Sequence, residues 1–81
     1  MIHKYQNIYG ISYVIFGNLN KTNEDLKKLV EDIIEDKKFP FSTVYVKMPA
    51  FIFQKFMEQV REFGLEYKEV ESRNGTFLVK F

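Results

Sequence analysis

Two amphipathic stretches in this chain are separated by only ten residues, Phe39 to Met48. A strand takes about five or six residues, so that interval holds one strand and not a hairpin. Each flanking stretch has the period of a helix. In the first, Leu26, Leu29, Val30, Ile33 and Ile34 recur at i, i+3, i+4, i+7 and i+8, which places them on one face. Thr22 with Asp25 gives a weak capping-box signal, and Glu24 with Lys28 gives an i,i+4 pair in the favourable order. Lys37 would rotate onto the apolar stripe if the helix ran on, and Pro40 forbids a long continuation; the predicted helix is 23–37. In the second stretch Pro49 suits a first helical turn. Ile52, Phe53, Phe56, Met57, Val60 and Phe63 then form a broad apolar face, and Gly64 stands where a C′ glycine belongs.

The remaining segments read as strands. Gly10 to Gly17 is apolar on both alternating faces apart from Ser12, as expected of an interior strand covered on both sides. Residues 2–9 alternate weakly and read as an extended arm or edge strand. Ser42 to Lys47 puts Val44 and Val46 on one face and Thr43, Tyr45 and Lys47 on the other. Leu65 to Ser72 and Thr76 to Phe81 flank Asn74-Gly75, the strongest short hairpin signal. A two-residue loop there sets Val70 opposite Val79 and Glu69 opposite Lys80. It leaves Leu65 and Tyr67 out of phase, which predicts a bulge near Lys68-Glu69.

The resulting order is β-α-β-α-β-β, with the N-terminal arm as a candidate additional edge strand. The fold class is α+β, a two-layer α/β sandwich in one domain spanning residues 1–81. Its sheet is mixed: the first two strands are parallel, and the chain ends in an antiparallel hairpin. Right-handed crossovers place both helices on one face. This order is similar, in topology, to the Alba chromatin proteins, to the C-terminal domain of bacterial translation initiation factor three and to the TusA-like sulfur carriers. The sulfur carriers depend on Cys-Pro-x-Pro at the first helix, and a chain with no Cys excludes that activity.

Composition removes further classes. Twelve Lys and Arg against eleven Asp and Glu give a net charge of +1, which fits neither a polybasic tail nor an acidic disordered segment. Without Cys there is no disulfide framework, thiolate metal site or thiol nucleophile. No apolar run reaches membrane-spanning length and the N-terminus has no signal-peptide core, so the expectation is a soluble cytoplasmic protein. Lys, Asn, Ile, Phe and Tyr make 36 of the 81 residues, a bias of AT-rich archaeal, firmicute or viral genomes.

No catalytic or metal constellation is visible and no cofactor is expected. The single His, His3, has no Cys partner, and Ser42 and Ser72 have no base in view. The carboxylates Glu24, Asp25, Glu31, Asp32, Glu35 and Asp36 read as a solvated helix face. Gly17 to Thr22 follows a strand, opens a helix and ends in Lys-Thr. A phosphate loop, however, needs glycine where Asn20 and Ile15 stand. What remains is a helix start at which Asn18, Asn20 and Lys21 could hold an anion. From Lys37 to Met57 there is no acidic residue, while Lys37, Lys38, Lys47 and Lys55 alternate with Phe39, Phe41, Tyr45, Phe51, Phe53 and Phe56, the mixture used by single-stranded nucleic-acid platforms. On the second helix Phe51 falls on the polar side, between Glu58 and Glu62.

These observations lead to a non-enzymatic binding protein acting through protein–protein contacts, either self-association such as a homodimer or a partner-binding module. Exposed aromatics or the edge of the terminal hairpin would serve it. The alternative is a nucleic-acid-binding protein of Alba-like or initiation-factor-like topology. The candidate binding residues are Lys21, Lys47, Phe51, Lys55, Asn18 and Asn20, with Lys21, Lys47 and Phe51 expected to converge where the two parallel strands end.

Overall fold

The computed structural model describes residues 1–39 and 42–81. The expected helix stop at Pro40 and the ring of Phe41 lie outside the described residues. The elements are β1 (Ile2–Asn7), β2 (Gly10–Ile15), α1 (Thr22–Asp36), β3 (Val44–Pro49), α2 (Ala50–Glu62), β4 (Glu69–Arg73) and β5 (Thr76–Lys80). They form one five-stranded mixed sheet of order β1-β2-β3-β5-β4. β2 and β3 are parallel and every other neighbouring pair is antiparallel. The N-terminal arm is thus an edge strand, with Ile2 paired to Ile15 and Asn7 to Gly10.

The apolar stripes drive the assembly. Leu26, Leu29, Val30 and Ile33 of α1 and Ile52, Phe56, Met57 and Val60 of α2 are buried. They pack in one cluster with Ile11, Tyr13 and Ile15 of β2, Val44, Val46 and Met48 of β3, and Val79 with Phe81. Each fully buried side chain of this size stabilises by about 1.5–3 kcal/mol. Phe56 meets Phe81 edge-on at 6.0 Å and Phe53 stacks on Phe77 at 4.0 Å.

Several expectations are corrected. β2 is covered on one side only: Ile11, Tyr13 and Ile15 face the helices, while Ser12 and Val14 lie partly exposed on the other face. The capping box is not formed. Lys21 is the N-cap with no side-chain cap, and Thr22 Oγ1 donates back to the Leu19 carbonyl at 3.2 Å. Glu24 lies 3.9 Å from Lys21. The third strand runs from Val44 to Pro49, two residues later than expected at both ends.

The fourth strand starts at Glu69, and Glu69–Lys80 and Val70–Val79 pair as the hairpin requires. Just before it the Lys68 N–H bonds the Lys80 carbonyl at 2.7 Å, so Lys68 and Glu69 both stand opposite Lys80, the two-against-one arrangement of a bulge. Leu65 is out of phase because it belongs to the helix end. Gly64 adopts φ +65°, its N–H bonds the Arg61 carbonyl at 3.0 Å, and the Leu65 N–H reaches the Val60 carbonyl at 3.0 Å. That is a Schellman motif. Asn74 and Gly75 have φ of 50° and 76°, the two positive values of a type I′ turn.

The acidic helix face is not uniformly solvated. Asp36, at the end of α1, accepts a hydrogen bond from the Tyr13 hydroxyl and lies 3.4 Å from the Lys4 ammonium. This ties the β1–β2 hairpin to the helical layer.

Candidate binding face

Because both helices cover one side, the other side of the sheet is open, and strand register decides what stands on it. Residues paired across strands project from the same face. One row runs Tyr5, Ser12, Tyr45, Lys80 and Glu69 from β1 to β4, and the next runs His3, Val14, Lys47, Leu78 and Glu71. A third, incomplete row adds Pro49, Thr76 and Arg73. Phe16 continues the outward alternation of β2 and is held by its N–H to the Met1 carbonyl at 2.8 Å.

The face carries three cations and two carboxylates, unevenly placed. Lys47 and Lys80 stand on the interior strands β3 and β5, whereas Glu69 and Glu71 are confined to the edge strand β4, which also holds Arg73. The ammonium of Lys80 sits 5.7 Å above the Tyr45 ring, a cation–π contact. At the other side of the face, His3 meets Phe16 edge-on at 5.2 Å and stacks beside Tyr5 at 6.2 Å. Tyr5 and Phe16 remain half exposed, at 50% and 49%.

Two shallow grooves adjoin on this face. One, of about 410 Å³, runs between Tyr5 and Phe16 over Val14 to Lys47, Pro49 and Thr76. The other, of about 390 Å³, continues from Lys47 and Thr76 past Leu78 to Glu71, Arg73 and Asn74. Lys47 and Thr76 line both, so they form one path across the strands.

The six candidates from the sequence fall in different places. Lys47 projects from the open face. Phe51 and Lys55 belong to α2 in the opposite, helical layer; Phe51 is 59% exposed, as its polar-side position requires. Asn18, Asn20 and Lys21 are exposed in the turn between β2 and α1, at the end of the sheet where α2 also begins. The Ala50 N–H at that start is already used by the Gly75 carbonyl at 2.8 Å. Sequence reasoning missed Tyr5, Phe16, Arg73 and Lys80, which are far apart in the chain and meet only through strand pairing.

Among the described residues no three metal-ligating side chains cluster, and no helix is long and apolar enough to cross a membrane. Comparison of the chain with protein-family models, with curated proteins and with solved structures finds no match.

Proposed function

We propose that this chain is a non-enzymatic binding protein whose contact surface is the uncovered face of the sheet. The observation that carries the reading is the continuous path from Tyr5 and Phe16 through Lys47 to Arg73. Rings and cations line a surface that no part of the described chain covers. Concave, mostly apolar surfaces with a few convergent polar groups are the usual form of a binding site.

The test is position-specific photo-crosslinking in extract of the source cell. A benzoylphenylalanine replaces Ser12, at the centre of the face, or Glu31, on the solvent side of α1. Adducts from position 12 and none from position 31 support the reading; equal yields from the two positions, or none from position 12, overturn it.

A second reading is edge-to-edge self-association, favoured by one observation. β4 pairs with β5 alone, so its outer backbone groups are unpaired within the sheet, the usual template for strand addition. β5 is interior, which leaves β4 as the single free strand of the terminal hairpin. Sedimentation equilibrium with wild type and Ser72→Pro, which removes an N–H on the unpaired side of β4, checks it: a dimer abolished by the substitution supports the edge, and a monomer removes it.

A further inference from the structure

Resting on the sheet-face reading, we infer that the partner of this face is a single-stranded nucleic acid, laid across the strands with bases at the Tyr5–Phe16 end and phosphates at Lys47, Lys80 and Arg73. Three observations lead there. The first is where the cations stand. Lys47 occupies the central strand β3 of the five, so any partner covering the face buries its ammonium. An uncompensated buried charge is strongly unfavourable, and the carboxylates of the face lie at its edge on β4. A second copy stacked face to face about a two-fold near β3 would bring Lys47 towards its own equivalent. The partner therefore supplies anionic groups over the middle of the sheet.

The second observation is the aromatic content of the same face. Tyr5 and Phe16 flank one groove with half-exposed rings, and Tyr45 lies in the same row as Tyr5 across the small residue Ser12. Rings on an open sheet, spaced among cations, are the arrangement on which unstacked bases lie, each base contributing through its π-face whatever its identity. An acidic peptide would satisfy Lys47 and Lys80 but would leave these rings without planar partners.

The third is the distribution of charge over the whole molecule. α1 carries six carboxylates and two lysines, all in the helical layer. The net charge of +1 therefore averages an acidic back and a face whose interior strands are basic. A nearly neutral total is compatible with anion binding over the interior strands, because six of the eleven carboxylates lie behind the sheet on α1 and Glu69 and Glu71 stand at its β4 edge.

Fluorescence anisotropy with labelled dT15 and U15 tests the inference. Single-strand binding loses about 0.7 log units of affinity per log unit of salt for each neutralised phosphate. Three cations then predict a slope of about −2, and a loss of about 20-fold between 50 and 200 mM KCl. Lys47→Gln should flatten the slope by about 0.7. Tyr5→Ala or Phe16→Ala should weaken binding about 5-fold or more, the lower range for one stacked base. Both rings are half exposed, and circular dichroism of each variant establishes that it is folded.

No binding at 50 mM KCl overturns the nucleic-acid assignment. So does competition by polyglutamate as effective as that by unlabelled oligonucleotide, which would make the partner an acidic protein. Binding unaffected by Lys47→Gln but lost in Lys55→Gln overturns it too, and moves the contact to α2. If the oligonucleotides fail while position 12 still gives crosslinks, the sheet-face reading stands and only the partner class falls.

Discussion

Gly10 opens β2 at φ +149°, a region that L residues rarely adopt, and a Cβ built there runs into the Thr43 carbonyl oxygen. That oxygen is already engaged, accepting the Ile11 N–H at 2.8 Å where β2 and β3 begin their parallel pairing. Gly10→Ala must therefore strain the backbone, at about 1–3 kcal/mol. It must also push Thr43 away and weaken a hydrogen bond worth about 0.5–1.5 kcal/mol net. The sum is about 1.5–4.5 kcal/mol. For a domain of 81 residues each kcal/mol moves Tm by roughly 6 °C, so the expected fall is about 9–27 °C. Thermal unfolding followed at 222 nm measures it. Gly64→Ala serves as the control, because Gly64 also has positive φ but nothing within 4 Å of its would-be Cβ; only the conformational cost, roughly 1–2 kcal/mol, applies there. A fall for Gly10→Ala no larger than for Gly64→Ala would refute the steric argument.

Three further outcomes are expected. Gly75→Val places a β-branched residue at φ 76° in the β4–β5 turn and should lower stability by about 1–3 kcal/mol in urea unfolding; an unchanged midpoint would contradict the type I′ turn. Phe51→Ala, at a 59% exposed position, should change stability by no more than about 0.5 kcal/mol, and a loss near 3 kcal/mol would place that ring in the core. The Tyr13 phenol is pushed far above its usual range by burial first, then by its hydrogen bond to Asp36 and by the charges of Asp36 and Asp32. A raised phenol pKa means the neutral form stabilises the fold. That contribution is complete below the unfolded value of about 10 and is lost as pH rises above it. Tyr13→Phe should therefore lessen the decline in stability above pH ~10, and an unaltered alkaline profile would refute the assignment.

Much of this architecture is legible in the chain because its signals are local. The α1 stripe from Leu26 to Ile33 and the Asn74-Gly75 turn depend on spacing alone, and the structure keeps both. β1 is weakly legible because it is an edge strand. Of its helix-side residues only Ile2 packs on the core, while Lys4 reaches out to Asp36, so little alternation survives. Leu65 misleads because two demands meet there: it looks like the first apolar residue of a strand but completes the Schellman end of α2. The candidate face is harder still. Lys47 was visible, in a window free of acids, but Tyr5, Phe16, Arg73 and Lys80 join it through register across five strands. Phe51 and Lys55, expected near Lys47, stand instead on α2, which the β3–α2 junction carries into the helical layer.

The separation of acids on α1 from cations on the sheet has an electrostatic consequence set by molecular thickness. The domain measures 20 Å through its thinnest dimension. At physiological ionic strength the Debye length is about 8 Å, less than half of that, so a partner at the sheet senses the nearby ammonium groups and little of the carboxylates behind them. The molecule then behaves as two electrically independent surfaces rather than as a body of charge +1. At 0.01 M salt the screening length grows to about 30 Å and exceeds the thickness, and the helical carboxylates begin to oppose an anion approaching from the front. Attraction to polyanions should therefore stop strengthening as salt is withdrawn below a few hundredths molar, and the double-logarithmic salt plot should bend over where a uniformly basic protein would stay linear.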